Sequence, residues 1–184
     1  YELQRDYADY IYEADKLRTL SGKKLHAKRN HINRFLENNP NWSYEPISEE
    51  NITECLLLND LWCKQSNCDE NTDLQEEACA VRQAFAHYFD LDLQGGLLRI
   101  GDRPVAYTIG SRLTEDSYMV HFEKAFADVQ GAYPMINQQF IQHISTQYQW
   151  INRQDDMGEE GLRKAKLSYY PAKILDKHIA YYKG

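Results

Sequence analysis

No stretch of this 184-residue chain is apolar for the roughly 20 residues that a membrane-spanning helix needs. No charged, apolar and small-residue succession opens it as a signal peptide. Cysteine is sparse, with Cys55, Cys63, Cys68 and Cys79 confined to one region, and their spacings match no paired zinc motif. Their sparseness argues for reduced, partly buried thiols in a cytoplasmic protein with no metal, rather than for a disulfide framework. Ser168 stands in no nucleophile-elbow pattern, which removes serine hydrolase chemistry. There is no internal repeat and no low-complexity linker. Cations are almost missing from the middle of the chain. Between Glu45 and Asp92 only Lys64 and Arg82 face twelve acids.

The cations are concentrated elsewhere. Lys16 to Arg34 holds seven Lys or Arg and no acid, and Arg163 to Lys183 holds six against Asp176, within a net charge of −7. If the two segments meet in space, they form a positive patch suited to a phosphate-bearing ligand; if not, each is a solvated face. Apolar residues make up 42% and aromatics 12%, enough for one ordinary core. The first residue is Tyr1 rather than Met, which fits a piece of a longer protein.

Hydrophobic periodicity orders the chain. Tyr7–Tyr12 reads as an opening strand, and Ala14–Leu20 as ambiguous. Leu25–Asn38 is an amphipathic helix ended by Asn39-Pro40. Trp42–Ile47 is a short edge strand because of Pro46. Ser48 is placed to cap the next helix, and Thr72 with Gln75 to cap a third in a capping box. Three strands follow as a meander, Leu97–Ile100, Val105–Leu113 and Ser117–Phe126. Gly110 in the second signals a bulge or a close backbone approach. A helix from about Tyr133 to Gln147 leads to a strand at Tyr148, a glycine-flanked basic turn over Gly161–Lys166, and a closing segment, Ala172–Tyr182. Helices, a meander and a strand–helix–strand ending predict a mixed α+β domain with a central, mostly antiparallel sheet.

Three sets of residues then point to one family. They are Leu20–Lys24 with Lys28–Asn33; Phe122–Ala125 with Gly131-Ala132-Tyr133 and Ile136-Asn137; and Ile151–Arg153 with Gly158 and Gly161–Tyr169. With the order of elements, they resemble the bacterial family related to the C-terminal domain of phosphatidylglycerol lysyltransferases, which has the GNAT-like acyl-CoA N-acyltransferase fold. The resemblance covers most of the chain. It implies two central strands that splay apart near Ser117–Phe126 and Tyr148–Asn152. It also implies a donor whose phosphates sit at the helix beginning Gln130-Gly131-Ala132, and a missing N-terminal GNAT-like half for which this chain is the C-terminal partner. The donor is aminoacyl-tRNA or an acyl-CoA. The glycine content at Gln130–Tyr133 is short for coenzyme A.

Acyl transfer needs a proton acceptor, donors for the oxyanion and a positioned donor group. Glu123 is the foremost candidate, as base or substrate anchor. Strict alternation puts it on one face of its strand with His121. Tyr133, Tyr169 and Tyr170 are candidate proton donors to the leaving group. Arg163, Lys164 and Lys166, with Lys24, Lys28 and Arg29, are candidate phosphate ligands. On a helix Arg163 and Lys166 share a side that Lys164 does not, so only part of that cluster is expected to converge. Each residue has a plainer alternative. Glu123 forms a structural ion pair with Arg163 or Lys166, the lysines lie on solvated faces, the tyrosines pack, and Asn137 makes one buried hydrogen bond. Three functions stay open: an acyl- or aminoacyltransferase, a coenzyme A-dependent N-acetyltransferase, and a non-enzymatic GNAT-like binding module.

Overall fold

The computed structural model describes residues 1–182; Lys183, counted above in the second basic segment, lies outside the described residues. The chain opens with β1 (Glu2–Glu13), in which Ala8, Tyr10 and Tyr12 alternate into the core. The ambiguous segment after it is a short helix, α1 (Ala14–Thr19), closed by Leu20 in the left-handed region. Next come α2 (His26–Asn38), β2 (Trp42–Pro46), α3 (Ile52–Gln65) and α4 (Thr72–Ala86). The meander is β3 (Gln94–Ile100), β4 (Arg103–Arg112) and β5 (Ser117–Ala125). The chain ends with α5 (Ala132–His143), β6 (Trp150–Asn152), α6 (Glu160–Leu167) and β7 (Lys173–Ile179).

Two caps differ from the sequence reading. α3 starts at Asn51, not Ser48, and the Asn51 side chain accepts from the Ser48 N–H at 2.8 Å. α4 is capped by Asn71, which accepts from the Leu74 N–H at 3.1 Å, so no Thr72–Gln75 capping box forms. Only Asn71 caps with its side chain, while Asn51 closes the turn before α3 instead of capping it.

The seven strands form one sheet in the order β2-β3-β4-β5-β6-β1-β7. All neighbours are antiparallel except β5 and β6. That parallel pair spans only Ser117–Met119 against Trp150–Asn152. Past Met119 no strand among the described residues accompanies β5 on that side, so β5 and β6 splay where the family resemblance placed the gap. α1, α2, α5 and α6 cover one face of the sheet. Phe140 of α5 packs on Tyr118, and Tyr12 donates to the Lys166 carbonyl at 2.9 Å. α3 and α4 cover the other face over the meander, where Tyr107 donates to Asn59 at 2.8 Å and Lys124 pairs with Glu77 at 2.5 Å.

The meander carries a bulge. Ile109 pairs with Phe122 but Gly110 with Val120, so His121 is an additional residue on β5. Gly110 permits the close approach there, since a Cβ at that position would sit 2.3 Å from the Met119 carbonyl oxygen. The bulge changes which side chains share a face.

Candidate functional site at the strand splay

Glu123 lies on β5 beyond the last parallel pair and points to α5. The Asn137 Nδ2 of that helix donates to Glu123 Oε2 at 2.9 Å. Arg153, just after β6, donates from Nη2 to Glu123 Oε1 at 2.8 Å. Both ends of this ion pair are nearly covered, with side chains 10% and 13% exposed. Arg153 in turn lies over the rings of Tyr169 and Tyr12, 4.9 and 5.7 Å from their centroids. The expected partners of Glu123, Arg163 and Lys166, are therefore replaced by Arg153. The short β6 delivers Arg153 to the gap directly, while α6 aims Arg163 elsewhere.

Two lysines complete the cluster. Lys28 of α2 sits 4.2 Å above the Tyr169 ring. Burial, then the neighbouring Arg153 charge, lower its amine to about 8, against the favourable pull of Glu123. Lys166 of α6 is buried and donates to the Arg153 carbonyl. Burial and Arg153 lower it also to about 8. The two basic segments thus meet, and Lys24 over the Tyr170 ring at 5.3 Å extends the contact.

All three cations here feel Glu123, and Lys166 also feels Asp155 and Asp156. Two buried polar atoms, Arg153 Nη1 and Asn137 Oδ1, meet no partner in hydrogen-bonding geometry. The Tyr169 phenol is near enough to Arg153 for a hydrogen bond that partly offsets the burial disfavouring its ionisation, but Arg153 Nη1 does not meet it in good geometry. A donor and an acceptor are thus left open on either side of Glu123. Buried groups of this kind are rare in folded proteins and mark places where a ligand or water belongs.

The family model described as phosphatidylglycerol lysyltransferase, C-terminal, matches residues 1–181. The chain belongs to that family. In the crystal structure of a conserved protein of unknown function from Bacteroides thetaiotaomicron, the matching region is 47% identical with a TM-score of 0.92, over 95% of this chain and 59% of that one. The C-terminal domain assigned to a lysylphosphatidylglycerol synthetase of Agrobacterium fabrum shares the fold at a TM-score of 0.64 and 13% identity, over 95% of this chain and 60% of that one. An uncharacterised protein of Mycoplasmoides gallisepticum is 26% identical over 179 residues, 93% of this chain and 55% of its own. The chain thus spans a little over half the length of these relatives. The GNAT-like fold that the family resemblance implied is the fold of this lysyltransferase C-terminal family.

The remaining expected site residues do not converge on Glu123. His121 is carried by the bulge to the opposite face of β5, against the shared face that strict alternation predicts. It lies 2.8 Å from Ser111 Oγ and 3.2 Å from Gln154 Nε2. Tyr133 has its phenol beside the Ala125 backbone and Trp62, and burial raises its pKa, which makes it a weaker proton donor. Arg163 is held by Asp156 and Asp6, and Lys164 is exposed. Arg29 donates to the Leu20 and Gly22 carbonyls and so caps α1. Gln130 lines a separate cleft of about 460 Å³ with Arg103 and Asp128.

The start of α5 is a poor phosphate cradle. Ala132 N–H donates to Val129, and Pro134 has no N–H, so at most two of the first four donors remain. Gly131, at φ 82°, packs so tightly that a Cβ would lie 2.3 Å from the His31 carbonyl oxygen of α2. A carbonyl dipole there opposes an incoming anion. Of the expected ligands, only Lys28 and Lys166 join Glu123. Arg153 stood within the stretch that carried the family resemblance but was not singled out, since nothing local distinguishes it from the other cations.

Proposed function

We propose that this domain transfers an aminoacyl or acyl group to an amine or hydroxyl acceptor, at the Glu123–Arg153–Asn137–Lys28–Lys166 cluster. The observation that carries this reading is the open donor on Arg153 and the open acceptor on Asn137, both held by one buried carboxylate. Arg153 Nη1 would donate to the carbonyl oxygen of the transferred group as negative charge develops on it. Asn137 Oδ1 would accept from the amino group of an aminoacyl donor. Glu123 positions both. Fixed donors of this kind act strongly where water is excluded.

A lysine near pKa 8 is about one-tenth neutral at pH 7. In that form it takes the proton that the acceptor hydroxyl or amine loses as its oxygen or nitrogen attacks the carbonyl carbon. The C–O or C–S bond to the donor then breaks, and its oxygen or sulfur leaves with the proton that the lysine had taken. The weak cradle at α5 favours an aminoacyl-tRNA over coenzyme A as donor. The names of the family and of the Agrobacterium domain suggest lysine as the transferred group and phosphatidylglycerol as acceptor.

A non-enzymatic binding role has one observation in its favour. Side chains of Arg153, Lys166 and Tyr169 crowd around Glu123, and clefts of about 330 and 460 Å³ lie elsewhere. Incubation of the natural polypeptide with labelled lysyl-tRNA and phosphatidylglycerol vesicles, and in parallel with acetyl-coenzyme A and an amine, separates the readings. Label in the lipid, lost in Glu123→Gln while that variant stays folded, is expected. Label only in the second reaction makes the donor coenzyme A. No transfer in either makes the domain a binding module.

A further inference from the structure

The two edges of the sheet are finished differently. β2 is five residues long and half-buried, contains Pro46, and ties Glu45 to Arg99 at 3.0 Å. Such devices protect an edge from pairing. β7 carries charges, with Lys177 paired to Asp9 at 2.6 Å, but shares no other of these devices. It is seven residues long without proline, and every one of its residues is exposed. Ile174, Leu175 and Ile179 on β7, Leu3 and Tyr7 on β1, and Tyr181 beyond are large apolar side chains between 38% and 63% exposed. β7 pairs with β1 through residues of both parities, so its apolar side chains emerge on both faces of the sheet. A strand open along one edge and on both faces buries too little to account for its sequence.

We propose that β7 and the flanking part of β1 seat the remainder of the longer polypeptide in which this family occurs, with one of its strands pairing along the free edge of β7. The relatives supply the length, since this chain spans 59% of the Bacteroides protein and 55% of the Mycoplasmoides one. A segment of the same polypeptide is always present beside this edge, so a weakly self-protected strand is tolerated there and not at β2. The apolar residues give the contact its area, and the unpaired N–H and C=O groups of β7 set its register.

Hydrogen exchange on the natural full-length polypeptide tests this. The amides of Lys173–Ile179 that do not donate to β1 should exchange at least roughly tenfold more slowly than those of the exposed Thr114–Asp116 turn. In the Leu175→Lys/Ile179→Lys variant they should return to the turn's rate, with β3 and β4 protection unchanged. Turn-like exchange in the unaltered protein overturns the proposal without any variant, which covers the case of a variant that fails to fold. Protection that disappears on dilution overturns it too, because the occupant is then a second copy of the chain.

Discussion

Arg153 and Arg163 stand ten residues apart, on either side of the same polar loop, and their surroundings are opposite. Arg163 donates from Nε to Asp156 at 2.9 Å, and from Nη2 to Asp156 at 2.7 Å and Asp6 at 2.6 Å. Two acids serve Arg163 through Nε and Nη2, and Arg5 stands 3.7 Å from Asp156 as a second cation. Arg153 shares Glu123 with Lys28 and with Lys166, which Asp155 and Asp156 also reach, and leaves Nη1 open. In the first arrangement the acids match the cations in number. The second holds surplus positive charge and unspent hydrogen bonds in a nearly dry place. An ion pair that only fastens two segments gains nothing from such a surplus, because unpaired buried groups cost stability. The difference therefore separates a clasp from a site.

Exchanging the roles of these two arginines should give the largest contrast. Arg153→Gln removes the donor that faces the transferred carbonyl, and transfer should fall roughly 10²-fold, the usual cost of losing one oxyanion donor. Glu123→Gln should fall by a similar factor, and the pair should be far from additive, because the carboxylate acts through the guanidinium. A steady-state rate for each single and the double variant measures this. Near-additive losses would mean that the two residues act independently.

On the Arg163 side the effect should be in stability instead. The Asp156 carboxyl is fully covered but shallow; it accepts from Tyr10, Arg163 and the Gly158 N–H. Burial raises its pKa, but those bonds lower it further, to about 2. Asp156→Asn should cost about 3 kcal/mol, the lower end for a broken covered pair, and leave transfer per folded molecule unchanged. The pH sign follows from the lowered value. The contribution is present above the unfolded carboxylate value of about 3.9 and is lost as pH falls toward about 2. Thermal melts of the wild type and Asp156→Asn should therefore converge at acid pH.

Elements and fold were readable because their signals are local. The stripe Ile32 and Phe35, the meander's turn residues and Gly110 each act within a few residues of themselves. The splay followed from the family resemblance. The cluster was only half readable. Glu123 stood out as an acid in an apolar strand, and Lys28 and Lys166 as members of basic runs. Arg153 had no such mark, and its importance arises from a three-residue strand that aims it across 30 residues of sequence at Glu123. The bulge at His121 was hidden for a related reason. Gly110 signals it from the partner strand, but which residue of β5 is added depends on the register.

The lysines offer a smaller, pH-dependent contrast. Lys28 is about 8 in the folded protein, against about 10.4 for a free side chain. At pH 7 it is charged in both states, and the burial cost is fully present. Between about 8 and about 10.4 the unfolded chain binds the extra proton, so stability rises with pH across that window. Lys166 adds a slope of the same sign. Replacing either with methionine should flatten the rise in melting temperature over this range, whereas Lys164→Met, at an exposed position, should leave it intact. If a neutral lysine accepts the proton, the transfer rate should also climb through pH 8 and lose that step in the variant responsible.

The smallest effect should come from the other face of β5. Gln154 Nε2 lies 3.2 Å from His121 Nδ1 and 3.4 Å from the Met119 sulfur, a placement suited to an amide N–H rather than its oxygen. Nδ1 is then the acceptor, and the ring proton sits on Nε2, 2.8 Å from Ser111 Oγ. A histidine in that tautomer donates to the serine and cannot take its proton, so the pair resembles a catalytic dyad only in distance. Burial lowers the His121 pKa, which keeps the ring neutral and the arrangement fixed. His121→Gln should therefore change the transfer rate by less than about twofold, in the range of a lost neutral hydrogen bond with little effect on chemistry. Nitrogen chemical shifts of the wild-type ring should report the Nε2–H form at neutral pH. A large loss of transfer in this variant, with Arg153→Gln still active, would move the reacting centre to the opposite face of the sheet.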